Sequence, residues 1–109
     1  VVAGFKPQLV LVSAGFDPYR LDPLGDMKVT EEGFGAMCSA LCDVADGAGA
    51  PIGLLLEGGY DTGGLARSVR KCVEVLCGGR EPGRTDASRA GADAIREVRG
   101  VHGARWRLS

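Results

Sequence analysis

Gln8-Leu9-Val10-Leu11-Val12-Ser13 is a continuous apolar run without alternation, and Pro51-Ile52-Gly53-Leu54-Leu55-Leu56-Glu57 is a second of the same kind. Runs this short, rich in branched aliphatic residues, read as strands buried on both faces, which is the habit of parallel sheets. Between them Thr30 is placed to cap a helix with Glu31 and Glu32 in its first turn, where acidic side chains suit the helix dipole. Its apolar positions Phe34, Met37, Cys38, Leu41, Cys42, Val44 and Ala45 recur at helical spacing, and Gly47 and Gly49 supply the stop before Pro51. After the second run, Leu65, Ala66, Val69, Cys72, Val73 and Leu76 predict another helix, closed by Gly78 and Gly79. Strand, helix, strand, helix is the order of an α/β fold with a parallel sheet and flanking helices.

Two strands are an incomplete sheet, and 109 residues with 45% hydrophobic and 25% charged side chains allow one small core. The chain begins Val1-Val2-Ala3, already close to its first strand, which reads as a start inside a domain. Residues 1–79 are expected to be one piece of that domain. Residues 80–109 are expected to be a linker containing Pro82 and Gly83, followed by a last helix capped at Thr85, with Ala87, Ala90, Ala94, Ile95, Val98 and Val101 inward.

A net charge of −1 gives no basis for nucleic-acid or membrane-surface binding, since the basic residues after Arg80 are interleaved with Asp86, Asp93 and Glu97. No apolar run approaches the roughly 20 residues of a membrane-spanning helix. The cysteines lack the two-residue spacing of a zinc knuckle. Cys38, Cys42 and Cys72 fall on apolar stripes, where free thiols pack as small hydrophobes, and a reducing cytoplasm is the compartment this implies.

Ligands of open parallel sheets bind beyond the carboxyl ends of the strands, so the segments after Ser13 and Glu57 are the places to look, and the two should share one rim. The first, residues 14–29, is much longer than the roughly 2 to 6 residues usual after such a strand. It carries Asp17, either a turn-forming aspartate before proline or a hard oxygen ligand facing a cleft. Asp22, with Gly25 close behind, reads as a turn residue. Leu24 either folds back into the core or lines an apolar channel. In the second segment, Gly58 and Gly59 allow the backbone to approach something closely. Tyr60 beside them either packs on the sheet edge or offers a neutral phenol as hydrogen-bond donor to a developing oxyanion. There is no G-x-G-x-x-G and no P-loop lysine to suggest a phosphate site.

Ser13-Ala14-Gly15-Phe16-Asp17-Pro18-Tyr19-Arg20-Leu21-Asp22-Pro23-Leu24-Gly25 and Leu56-Glu57-Gly58-Gly59-Tyr60 resemble the two C-terminal signature stretches of the histone deacetylase superfamily. The likeness runs from about Lys6 to Leu76 and is nearest the class II, bacterial acetoin-utilisation and acetylpolyamine amidohydrolase branches; Val98 to Leu108 is more weakly similar to the ending of bacterial members. The resemblance implies an arginase/deacetylase-like α/β fold, of which this is the C-terminal part of the sheet. It also implies a zinc-dependent amide hydrolysis of an acetylated protein lysine or acetylated small amine. It assigns Asp17 as the last of three Zn(2+) ligands, Tyr60 as the oxyanion-stabilising catalytic residue, Leu24 as a wall of the substrate channel, and Gly58 and Gly59 as its floor.

The Asp-x-His ligand pair and the histidine pair of that family precede these motifs and have no counterpart here. His102, the one histidine, is expected at a helix end or on the surface. One carboxylate is too few for a catalytic zinc, which takes three protein ligands, so by itself the chain is expected to be metal-free and inert. The alternative is a non-catalytic α/β domain that binds a partner or small molecule at its glycine-rich sheet edge.

Overall fold

The two apolar runs pair. In this computed structural model, which describes residues 1–80 and 88–106, β1 (Val10–Ala14) and β2 (Ile52–Leu56) form a parallel ladder in the register Val10↔Ile52 to Ala14↔Leu56. The remaining elements are α1 (Val2–Phe5), α2 (Glu31–Ala48), α3 (Thr62–Leu76) and α4 (Arg89–His102). The order β1, α2, β2, α3 is the expected α/β arrangement; α1, a single turn ending at Lys6, has no signal in the sequence pattern.

Burial on both faces of the strands is not found. Along β1 partly buried and exposed residues alternate, and Leu9, Leu11, Leu55 and Leu56 are all more than half exposed. The reason is that α2 and α3 pack against each other and against one face, while among the described residues no second layer covers the other.

α2 starts and stops where its chemistry dictates. The Thr30 hydroxyl accepts a hydrogen bond from the Gly33 N–H at 3.2 Å, and Gly49 ends the helix in the left-handed region at φ 65°, its N–H reaching back to the carbonyls of Ala45 and Asp46. Phe34, Cys38, Cys42 and Ala45 are buried as expected, whereas Met37 and Val44 are exposed. α3 is capped by the Asp61 carboxylate, which accepts from the Gly64 N–H. Its buried stripe is Gly64, Ser68, Cys72 and Val75, rotated from the larger apolar residues. Gly64 leaves room for the Tyr19 ring, which an added Cβ would overlap, and Cys72 packs against Phe34 and Cys38 of α2. Leu65 and Val69 pack at the edge of the core, and Val73 and Leu76 join Ala14, Leu54 and Leu56 around a cavity of about 180 Å³.

The last helix departs further from expectation. Its cap is Ser88, whose hydroxyl accepts from the Gly91 N–H; Thr85, Ala87 and the linker residues Pro82 and Gly83 lie outside the described residues. None of its residues is buried, and Ile95, Val98 and Val101 are exposed rather than inward, because helical periodicity sets an amphipathic face but not what that face meets. Trp106 folds back over α1, its ring 3.3 Å from where a Cβ on Gly4 would stand.

The core joins both helices to the long loop after β1: Phe16 and Tyr19 are buried with Phe34, Cys38, Cys42, Cys72 and Val75. The rings of Phe16 and Phe34 meet at 4.9 Å, tilted by 51°. Tyr19, 1% exposed, donates its hydroxyl hydrogen to Glu31 Oε1 at 2.9 Å and accepts from Arg67 Nη2 at 2.9 Å, while Arg67 Nε pairs with the same Glu31 oxygen at 2.7 Å. Three elements are tied at one point. The Arg67 guanidinium, with the Glu31 backbone amide and the Tyr19 hydroxyl, holds the Glu31 carboxyl down at about 2 against an ordinary 4.5.

A carboxyl with a folded-state value below its unfolded one stabilises fully above the unfolded value and loses that contribution as pH falls through the folded one. The Tyr19–Glu31–Arg67 contact should therefore be whole above pH 4.5 and fade towards pH 2. Glu31→Gln in the full-length protein is expected to flatten the acid limb of stability in that window, read by urea midpoints across pH; an unchanged limb would count against the contact.

Candidate functional site

Past the strands the ladder continues into the loops. The Glu57 N–H donates to the Ala14 carbonyl at 3.1 Å and the Phe16 N–H to the Gly58 carbonyl at 2.8 Å, so the segments after β1 and β2 leave the sheet side by side on one rim. Asp17 is the next residue. Its Oδ1 lies over Gly58, where an added Cβ would overlap it, and 3.0 Å from where a Cβ on Gly15 would stand. Glycine at 58 is thus what admits the carboxylate. Asp17 is half-buried, and among the described residues no hydrogen bond or ion pair engages its side chain.

The turn-forming role falls to Asp22. Its Oδ1 accepts from the N–H groups of Leu24 at 2.8 Å and Gly25 at 2.9 Å, and its Oδ2 accepts from the Tyr60 N–H at 2.7 Å. The residue is 8% exposed. Burial by itself would raise its carboxyl pKa, but the amides of Tyr60, Leu24, Gly25 and Asp61 outweigh that and hold it below the usual carboxylate range. The turn expected at Asp22 is present. Its reach to the second loop was not readable, because the partner is a backbone amide 38 positions away, with no side-chain signature.

The second loop is shaped by Gly59, at φ 133°, where a side chain would strike Phe16 and Leu65 at about 3 Å. Tyr60 follows, 58% exposed, so it is not packed away on the sheet edge. Asp61 then caps α3. Leu24, 74% exposed, does not fold back into the core; it stands on the loop that Asp22 closes.

Other candidates lie apart from this rim. Cys38, Cys42 and Cys72 are buried free thiols and Cys77 is exposed and free. Burial, with Cys72 alongside, pushes the Cys38 thiol up to about 11, and burial raises Cys72 as well, so these pack as neutral groups. His102 is the last residue of α4 and exposed, as expected. Among the described residues no group of three His, Cys, Asp or Glu side chains is arranged to hold a metal ion. Asp17, with free oxygens on a rim, fits as one ligand of a larger set; these residues alone do not make a metal site.

The chain is similar to known proteins along most of its length. The histone deacetylase domain family matches residues 1–76. Histone deacetylase 18 of Arabidopsis thaliana is 39% identical over 103 residues, covering 89% of this chain and 15% of that protein. Polyamine deacetylase HDAC10 of Homo sapiens is 36% identical over 106 residues, covering 94% and 15%. The crystal structure of the HDA15 HD domain superposes with a TM-score of 0.81 at 33% identity, covering 97% of this chain and 28% of that one. The histone deacetylase Clr3 gives 0.78 at 32% identity, covering 95% and 17%. The chain thus spans under a fifth of the length of these curated relatives, and with its α/β fold and both signature loops on one rim it belongs to the histone deacetylase family.

Proposed function

We propose that this chain is the C-terminal part of the catalytic domain of a zinc-dependent deacetylase, residues 1–79 contributing sheet and rim and residues 80–109 the linker and closing helix. The observation that carries the reading is the juxtaposition at the rim: a carboxylate without a hydrogen-bonding partner, Asp17, seated on Gly58, two residues from a half-exposed tyrosine whose backbone is held by Asp22.

Zinc, when bound, polarises the acetyl carbonyl and a water molecule. Asp17 supplies one of its ligands. Tyr60 donates its hydroxyl hydrogen to the substrate carbonyl oxygen as negative charge builds there. Leu24 offers an apolar wall to the substrate's methylene chain, and Gly58 and Gly59 keep the floor clear of side chains. Proton transfer belongs to the histidine pair that the family carries ahead of these motifs. The substrate class is an acetylated amine, protein lysine or polyamine, as the names of the relatives suggest. Buried unpaired thiols at Cys38, Cys42 and Cys72 suit a reducing compartment, and the cytoplasm is the location proposed.

Three outcomes test this. In the full-length protein Tyr60→Phe should lower turnover of an acetyl-lysine or acetylpolyamine substrate by about 100- to 1000-fold while zinc content stays level, because the phenol is an oxyanion donor and not a ligand; an undiminished rate would return Tyr60 to a structural role. Gly58→Ala should displace the Asp17 carboxylate and weaken zinc by about 10- to 100-fold in chelator competition, as disturbing a ligand's support does elsewhere. The 109-residue chain alone should hold zinc only weakly; a stoichiometric tight site would point to the cysteines instead.

A further inference from the structure

The Asp22 carboxylate joins the loop after β1 to the loop after β2: its Oδ2 accepts from the Tyr60 N–H at 2.7 Å. The same carboxylate closes its own turn through Leu24 and Gly25, so a single buried group sets the shape of the first loop and the backbone position of the tyrosine in the second. The first loop cannot drift from beneath it, since Phe16 and Tyr19 are in the core and the Asp17 carbonyl occupies the space a side chain at Gly25 would need. On the other side, the Asp61 carbonyl accepts from the Leu65 N–H at 2.8 Å and its side chain caps α3. Tyr60 therefore enters from Gly59, the one residue of that loop with a positive φ, and leaves into a helix cap. Asp22 fixes the point between.

We propose that Asp22 is a positioning residue for Tyr60: its charged carboxylate holds the Tyr60 amide and so sets where the phenol hydroxyl can reach, coupling the loop that carries Asp17 to the loop that carries the oxyanion donor. This rests on the deacetylase reading of Tyr60 and adds to it a residue that acts through the Tyr60 backbone. Misplacement by about 1 Å costs on the order of 100-fold in a reaction that depends on orientation, so holding a backbone amide is a source of rate.

The test uses Asp22→Asn in the full-length enzyme. Asparagine keeps the size and one acceptor oxygen for the turn, but presents an amide hydrogen where the Tyr60 N–H needs an acceptor. The expected result is a fall in kcat on the order of 10- to 100-fold with KM and zinc content within about twofold of the parent. Asp22→Ser, which can still close the turn but is too short for Tyr60, should do the same and serves if the asparagine variant folds poorly. The deciding measurement is the double variant. With no hydroxyl left to position, Asp22→Asn added to Tyr60→Phe should lower kcat no further than Tyr60→Phe alone, to within about twofold. An unchanged kcat in both Asp22 variants, or losses that multiply in the double variant, overturns the positioning role while leaving the Tyr60 assignment intact. A Tyr60→Phe enzyme that keeps full activity instead removes the reading on which it rests.

Discussion

Parallel pairing of β1 with β2 is the constraint from which the site follows. Strands that run the same way deliver their carboxyl ends to one edge, so two segments separated by an eighteen-residue helix must emerge together. An antiparallel pair would send them to opposite ends of the sheet. The ladder does not stop at the strand ends: the Phe16 amide still bonds the Gly58 carbonyl, which sets the register in which Asp17 comes to lie over Gly58. The close approach at Gly58 is thus a consequence of strand register as much as of loop shape, and a shift of one residue would put a different pair of positions in contact.

A loop as long as the one after β1 needs its own anchors, because ordering its backbone costs about 1 to 2 kcal/mol per residue. It finds them in aromatic side chains. Phe16 stacks obliquely on Phe34 of α2, and Tyr19 is enclosed, with its hydroxyl spent on Glu31 and Arg67 and the guanidiniums of Arg20 and Arg67 near its ring face at 5.8 and 6.0 Å. Asp17 sits between these anchors in sequence and so inherits their rigidity, without itself using its carboxylate for support.

What the sequence made readable was what depends on local rules. The apolar runs, the Thr30 cap, the Gly49 stop and the helical spacing from Leu65 to Leu76 are written in neighbouring residues, and the two glycine-bearing loops announced themselves by length and composition. What it hid depends on partners far along the chain. The buried face of α3 is lined by Gly64, Ser68 and Cys72, which carry little hydrophobic signal; at Gly64 the Tyr19 ring leaves no room for a side chain. The outer face of β1 and β2 and the apolar residues of α4 were expected inward, yet they are exposed; the pattern records that a surface is apolar, not which layer covers it. Asp22 was legible as a turn and illegible as a bridge. Phe16 and Tyr19 entered only as letters of a motif, although they hold the loop.

The rim also separates two kinds of order. Tyr60 has its backbone fixed on one side by the Asp22 carboxylate and on the other by the Asp61 cap. Its ring, 58% exposed, makes no such commitment. Asp17 is the reverse case, a carboxylate placed closely against Gly58 and Gly15 but left without a hydrogen-bonding partner among the described residues. A group held in place with its lone pairs unspent is prepared to bind a cation, whereas a donor held at its backbone and free at its ring is prepared to follow a substrate. They match the different demands of the roles proposed for Asp17 as a ligand and Tyr60 as an oxyanion donor, on either side of the Phe16–Gly58 hydrogen bond.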